Sequence, residues 1–107
     1  AERLSLMRPN AILVNTCRGA VVDESALAEA LVQSVIAGAA IDVFEHEPPV
    51  QSPLLSAPNV LLSPHVAGIT DESAKRTALH AVEEIARVLA GEAPLWCINP
   101  DVLETPR

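Results

Sequence analysis

Aromatic side chains are almost absent from this 107-residue chain, which contains one Phe, one Trp and no Tyr. Half of its residues are nevertheless hydrophobic, so the core must be built from Ala, Val, Leu and Ile. A chain of this length forms one domain at most, with a core of modest size. Small aliphatic residues suit the packing of helices on a sheet, which favours an α/β fold.

Positive charge is scarce as well. Lys and Arg number 7 against 14 Asp and Glu, which leaves a net charge of -7. This balance argues against nucleic acid or an anionic membrane as the main partner. No apolar run reaches the length of a transmembrane helix, and the first residues do not resemble a signal peptide, so a cytoplasmic location is expected.

Cysteine and glycine are also few. Cys17 and Cys97 lie far apart with no second pair nearby, which indicates neither a zinc site nor a disulfide scaffold. We therefore expect no metal. The four glycines nowhere make the G-x-G-x-x-G spacing of a loop that binds a pyrophosphate.

Three short apolar runs, 11–14, 39–44 and 60–63, predict the buried strands of a parallel sheet. A helix is predicted between the first two strands, with Asp23 as its N-cap and apolar residues at helical spacing until Gly38. Strand, helix and strand in this order form a βαβ unit with parallel neighbours.

A longer helix is predicted to begin after the N-cap Thr70 and to end at Gly91. Its apolar face comprises Ala74, Ala78, Ala81, Val82, Ile85, Val88 and Leu89. The tail from Trp96 to Arg107 contains two prolines and is expected to be a loop or a strap onto another surface.

Three polar side chains follow the three predicted strands: Arg18, Glu47 and His65. Because parallel strands end at one edge of a sheet, where open α/β folds bind ligands, these side chains can meet. A guanidinium can hold a substrate carboxylate, an imidazole can exchange a proton, and a carboxylate can orient the imidazole. The combination suits oxidation or reduction of a 2-hydroxy or 2-oxo acid, with a cofactor as the hydride source.

Taken singly, these residues have simpler interpretations. An Arg in a loop is commonly a surface charge, a lone His is commonly structural, and Glu47 could be a solvated acid in a proline-rich turn. Glu45 is the acid most easily confused with Glu47. Asp42 interrupts the second apolar run, where a carboxylate is costly unless it lies at the strand end and finds hydrogen-bond donors.

Three segments, 15–24, 37–48 and 59–68, resemble the C-terminal signatures of the NAD-dependent D-2-hydroxyacid dehydrogenases. They read NTCRGAVVDE, AGAAIDVFEHEP and NVLLSPHVAG, and they occur in the order of that family. The family includes D-3-phosphoglycerate dehydrogenase and glyoxylate/hydroxypyruvate reductase. The resemblance spans nearly the whole chain and is highly specific.

The resemblance implies Arg18 as the substrate clamp, His65 as the acid/base, and Glu47 as the partner of His65. Glu47 is preferred over Glu45 because it precedes Pro48 in the family motif. NAD is the implied cofactor, and a small 2-hydroxy or 2-oxo acid is the implied substrate. The positions implied to approach the nicotinamide half of NAD are Thr16, Cys17, Arg18, Asp42, His65, Val66, Ala67 and Gly68.

The resemblance also implies a fold. Residues 1–69 would be the second half of a Rossmann-like, doubly wound parallel sheet, and residues 70–107 a crossover helix and tail toward a substrate domain. Family members carry that domain and a glycine-rich loop upstream, and neither is found here. We therefore expect a fragment of a two-domain enzyme, inactive on its own, whose full-length form is a homodimer.

Asp42 is implied to accept a hydrogen bond from the nicotinamide carboxamide. A second function stays open at this point, because relatives with similar residues serve as NAD-sensing corepressors. The chain could then belong to a regulatory binding module that requires no catalysis. Oxidation of NADH by a panel of 2-oxo acids would discriminate the enzyme from the module.

Overall fold

The computed structural model describes residues 1–103. Its three strands are β1 (Ile12–Asn15), β2 (Gly38–Ile41) and β3 (Val60–Leu62). Its helices are α1 (Glu2–Ser5), α2 (Glu24–Val32) and α3 (Asp71–Leu89). The strands form one parallel sheet in the order β1-β2-β3. The predicted α/β class and the parallel βαβ unit are confirmed.

The register of the sheet brings the three strand ends together. Asn15 of β1 lies opposite Ile41 of β2, and Ile41 lies opposite Leu62 of β3. Each of these residues is the last of its strand. The three loops that follow therefore leave the sheet from one edge, which is where α/β folds of this kind bind ligands.

The core lies between the sheet and α2. Leu27 and Leu31 of α2 are almost fully buried, and they belong to one apolar cluster with Ile41 of β2. Full burial of a Leu side chain stabilises the folded state by about 1.5–3 kcal/mol. Alternate residues of β1, Ile12 and Val14, point away from this cluster and are exposed.

Helix α2 ends earlier than predicted. The apolar spacing predicts a helix up to Gly38, but α2 ends at Val32. Ser34 adopts a positive φ of 56°, and the amides of Ser34 and Val35 bond back to carbonyls in the last helical turn. This pair of bonds is a Schellman motif, which stops a helix although a Ser stands where Gly is usual.

Strand β2 also ends earlier than predicted. The second apolar run extends to Phe44, yet the strand ends at Ile41. Asp42 instead bonds to the loop after β3, since its carbonyl accepts from the amide of His65 at 2.8 Å. The apolar residues that follow are buried in the loop rather than in a strand.

A first compact unit comprises Ala1–Gly68, and a second begins at Ile69. In the second unit Thr70 and Ser73 form a reciprocal capping box, with bonds of 2.9 and 3.1 Å, which confirms the predicted N-cap of α3. Gly91, at a φ of 79°, follows the end of the helix as predicted. No residue of α3 is buried, so its apolar face is exposed in this chain.

The tail packs in part against α3. The ring of Trp96 stacks on that of His80 with centroids 6.4 Å apart, and the carboxylate of Glu84 accepts from the amide of Leu95 at 2.8 Å. A short 3-10 turn follows at Pro100–Leu103. The rest of the predicted tail, 104–107, lies outside the described residues. No helix within residues 1–103 is long and apolar enough to cross a membrane.

Candidate active site

The imidazole of His65 contacts the carboxylate of Glu47, with 2.9 Å between Nδ1 and Oε2. The other oxygen, Oε1, accepts from the amide of Phe44 at 3.0 Å. The bond from His65 and then that from Phe44 hold the pKa of Glu47 below its ordinary value. An ionised carboxylate only accepts hydrogen bonds, so Nδ1 carries the proton and Nε2 is left to exchange a proton with a ligand.

The backbone of His65 is in the left-handed region, with a φ of 57°. Residues other than Gly seldom adopt this conformation. The side chain of His65 is half exposed. With this backbone conformation, the imidazole of His65 contacts Glu47 and is also accessible at the surface.

Asp42, immediately after β2, is 3% exposed and forms hydrogen bonds to the loop after β3. Its Oδ1 accepts from Ser63 Oγ at 2.6 Å and from the amide of Val66 at 2.9 Å, and its Oδ2 accepts from the amide of Ala67 at 2.9 Å. The Ser63 hydroxyl and then the two amides keep the pKa of Asp42 below its ordinary value, although burial opposes them. The donors that a buried carboxylate requires are therefore present.

The loop after β1 is shaped by Asn15, which is 5% exposed. Its Nδ2 donates to the carbonyl of Arg18 at 2.9 Å, and its Oδ1 accepts from the amide of Cys17 at 3.1 Å. The exposed guanidinium of Arg18 donates to the carbonyl of Cys17 at 2.6 Å. No hydrogen bond or ion pair described within residues 1–103 joins Arg18 to Glu47 or His65. The structure thus brings two of the three predicted catalytic residues into contact.

The loops after β1 and β2 meet at Gly19. A Cβ atom on Gly19 would lie 1.9 Å from the carbonyl carbon of Phe44, a distance that no side chain can occupy. The amide of Phe44 is also the donor to Glu47. The missing side chain of Gly19 therefore allows the Arg18 loop to pack directly on the backbone that holds Glu47.

Glu24, the first residue of α2, also forms hydrogen bonds to the loop after β2. Its Oε1 accepts from the amide of Glu45 at 2.7 Å, and its Oε2 accepts from Ser52 Oγ at 2.5 Å. The backbone amide of Glu45 thus binds Glu24, whereas the carboxylate of Glu47 contacts the imidazole of His65.

Sequence reasoning did not identify Asn15, Glu24 or Ser63 as residues that shape the site. The only available signal was a polar side chain at a strand end or a helix start, which is shared by ordinary turns and caps.

An open pocket of about 390 Å³ adjoins Glu47 and His65. Its other walls are mainly apolar and include Phe44, Leu55 and Leu62. Apolar walls of this kind can pack against the carbon atoms of a small ligand whose polar groups reach the Glu47–His65 pair.

The residues predicted to bind the cofactor lie at the carboxyl edge of the sheet. Thr16, Cys17 and Arg18 are exposed after β1, and residues 65–68 are exposed after β3. Asp42 lies at the end of the strand between them. Its Oδ2 accepts from Ala67, and a carboxylate oxygen can accept two bonds, so this oxygen suits the carboxamide donor of a nicotinamide. No three His, Cys, Asp or Glu side chains within residues 1–103 are grouped as metal ligands.

Comparison with known proteins identifies the family of this chain. The family model described as "D-isomer specific 2-hydroxyacid dehydrogenase, NAD binding domain" matches residues 1–67. The chain is 51% identical over 104 residues to glyoxylate/hydroxypyruvate reductase B of Pectobacterium carotovorum, covering 96% of this chain and 32% of that protein. It is 47% identical over 98 residues to D-3-phosphoglycerate dehydrogenase of Methanocaldococcus jannaschii, covering 92% of this chain and 19% of that protein.

Solved structures agree as well. The NADPH-dependent glyoxylate/hydroxypyruvate reductase of Sinorhizobium meliloti, in complex with NADP and malonate, has a TM-score of 0.78 and 41% identity to this chain. That match covers 86% of this chain and 29% of that one. The chain spans 32% or less of the length of the two relatives above. These matches confirm the family resemblance, and the chain belongs to the D-isomer specific 2-hydroxyacid dehydrogenases.

Proposed function

We propose that the complete protein containing this chain is an NAD-dependent oxidoreductase that transfers a hydride between NAD(H) and a D-2-hydroxy acid or its 2-oxo acid. The observation that carries this proposal is the Glu47–His65 pair, an oriented acid/base at the ligand-binding edge of a parallel sheet. The names of the relatives favour a substrate of the glyoxylate, hydroxypyruvate or phosphoglycerate type.

His65 acts as the acid/base in this proposal. Its Nε2 accepts the hydroxyl proton when the hydroxy acid is oxidised, and returns it to the carbonyl oxygen when the oxo acid is reduced. Glu47 keeps Nδ1 protonated and stabilises the imidazolium that forms when Nε2 is also protonated. The nicotinamide cofactor supplies the hydride chemistry, which no side chain can provide.

Arg18 holds the carboxylate of the substrate in this proposal. A guanidinium has five N–H donors, so the bond to the Cys17 carbonyl leaves donors for a bidentate pair. Support comes from the position of Arg18, which is exposed after β1 at the edge from which the loops of Glu47 and His65 also leave. Fixing the carboxylate orients the neighbouring carbon for reaction.

The nicotinamide side of the site comprises Thr16, Cys17, Arg18, Asp42 and residues 65–68 in this proposal. This assignment is supported by the exposure of residues 16–18 and 65–68, which follow the two strands on either side of β2 at one edge of the sheet. NAD is proposed as the cofactor, following the description of the matching family model. A cytoplasmic homodimer is proposed for the complete protein.

The two compact units suggest how the chain contributes to that protein. Residues 1–69 are proposed to be the C-terminal half of the NAD-binding domain, and residues 70–107 a crossover helix and tail toward a substrate domain. The boundary at Gly68 and the exposed apolar face of α3 support this division. The 107-residue piece alone is expected to lack dehydrogenase activity, because it spans 32% or less of the length of the relatives that it matches.

One experiment tests the proposed activity. The complete protein is mixed with NADH, and in parallel with NADPH, together with glyoxylate, hydroxypyruvate or 3-phosphohydroxypyruvate, and the loss of reduced-cofactor absorbance is followed. We expect turnover with at least one oxo acid and a preference for NADH. Tight binding of NADH without turnover of any 2-oxo acid would refute the enzyme and support the NAD-sensing module.

A further inference from the structure

Asp42 makes four hydrogen bonds to the segment that carries His65. Its carbonyl accepts from the amide of His65 at 2.8 Å. Its carboxylate accepts from the hydroxyl of Ser63 and from the amides of Val66 and Ala67, at 2.6 to 2.9 Å. These donors precede and follow His65 in the chain, so one residue at the end of β2 holds the loop after β3 on both sides of the imidazole.

The backbone of His65 requires such support. A φ of 57° is unfavourable for a residue with a Cβ, and such a conformation persists only where surrounding contacts over-determine it. The bonds to Asp42 engage the amide of His65 and those of the next two residues. They therefore act on the torsions that direct the imidazole toward Glu47, whose Oε2 lies 2.9 Å from Nδ1.

Asp42 is itself firmly placed. It is 3% exposed, and its amide donates to the carbonyl of Asn15 at 3.0 Å, which extends the β1–β2 pairing by one bond. Only an ionised carboxylate presents acceptors on both oxygens to these three donors. An amide at the same position would set one of its own N–H groups against the backbone N–H of Val66 or that of Ala67.

We propose that Asp42 is a positioning residue for the acid/base, because its carboxylate holds residues 63–67 in the conformation that brings His65 to Glu47. This inference rests on the proposed function. It differs from the predicted contact between Asp42 and the nicotinamide carboxamide, since it assigns the carboxylate an effect that is transmitted through His65. The two effects can be separated by experiment.

A double-mutant cycle in the complete protein makes that separation. Turnover is measured for wild type, Asp42→Asn, His65→Ala and the double variant, with Asp23→Asn as the matched control, since Asn caps a helix about as well as Asp. We expect Asp42→Asn to lower kcat at least about tenfold when His65 is present and by less than about twofold when His65 is Ala. An equal loss in both backgrounds, as a contact with the cofactor alone would produce, overturns the proposal.

Crystal structures provide a readout that does not depend on activity. In the complete Asp42→Asn protein we expect the Nδ1–Oε2 distance to exceed the hydrogen-bond limit of about 3.5 Å. An unchanged His65 φ and an unchanged contact with Glu47 would overturn the positioning role.

If Asp42→Asn does not fold, Ser63→Ala provides a milder variant, because it removes one of the four bonds. We expect a smaller loss of kcat in Ser63→Ala, and we expect this loss to vanish when His65 is also replaced by Ala. An equal loss in both backgrounds would again overturn the role.

The crystallographic readout also distinguishes this inference from the proposed function. If the wild-type protein turns over none of the 2-oxo acids, the proposed function fails. The conformation of His65 in Asp42→Asn still reports whether Asp42 positions the imidazole.

Discussion

His65 and Glu47, which are 18 residues apart in the chain, are joined by a contact of 2.9 Å between Nδ1 and Oε2. Neighbouring parallel strands explain the contact, since Glu47 lies in the loop after β2 and His65 in the loop after β3. The bond leaves Nε2 as the nitrogen that exchanges protons. Glu47 and His65 thus form a unit whose parts can be tested separately.

Replacing His65 by Ala should lower kcat of the complete protein by roughly 10²- to 10⁴-fold, because the reaction loses its general acid/base. Steady-state oxidation of NADH by the preferred 2-oxo acid measures the effect. His46→Ala is the matched control, because His46 lies in the loop between β2 and Glu47 and is not assigned to the site. Near-normal turnover of His65→Ala would remove His65 from the mechanism.

Replacing Glu47 by Gln should lower kcat by about tenfold or more, and by less than the removal of His65. A carboxylate accepts from both His65 and the amide of Phe44, whereas an amide whose oxygen accepts from Phe44 presents an N–H group to Nδ1 and so favours the tautomer that is protonated on Nε2. Glu45→Gln is the matched control and should retain wild-type kcat. Equal losses in the two variants would contradict the assignment of Glu47 as the partner of His65.

Replacing Arg18 by Lys should raise KM for the 2-oxo acid by about ten- to a hundredfold, because Lys cannot form the bidentate pair with a carboxylate. Initial rates at varied oxo acid and saturating NADH measure KM and kcat separately. Arg8→Lys provides a control at an exposed Arg outside the site. Unchanged KM and kcat in Arg18→Lys would exclude the clamp.

Replacing Gly19 by Ala should destabilise the complete protein by about 1–3 kcal/mol or more, because the new methyl group would overlap the backbone of Phe44. Urea unfolding measured by circular dichroism gives the change in free energy. Gly68→Ala is the stability control, since a Cβ at Gly68 meets no atom within 4 Å. Equal stability of the two variants would show that the loops after β1 and β2 separate easily.

Acid should weaken the fold in part through Asp42. Its pKa is held below the ordinary value of 3.8, chiefly by the Ser63 hydroxyl, so the unfolded chain binds a proton more readily than the folded one. The stabilisation from this carboxylate is present above the ordinary pKa and is lost as pH falls through the lowered value. Between about pH 5 and about pH 3, the urea midpoint of wild type should fall more than that of Asp42→Asn. Parallel curves for the two proteins would contradict this contribution.

Most of the fold could be predicted from local signals. Apolar runs located the three strands, and the Thr70 cap and Gly91 located the ends of α3. The end of α2 could not be predicted in this way, because Ser34 adopts a left-handed conformation in which Gly is the usual residue. Similarly, the end of β2 depends on bonds from Asp42 to a loop more than twenty residues further along the chain.

The sequence by itself determined the α/β class, the parallel direction of neighbouring strands and the appearance of Arg18, Glu47 and His65 after successive strands. Each of these follows from periodicity or from the common edge of parallel strands. The family resemblance implied Glu47 as the partner of His65, and the structure shows this contact. The tertiary structure alone decided that the Glu45 amide bonds to Glu24 and that Asp42 holds the segment around His65. These contacts join residues that are distant in the chain. Which residues meet depends on the conformation of the loops, and loops lack the periodic sequence patterns from which helices and strands are predicted.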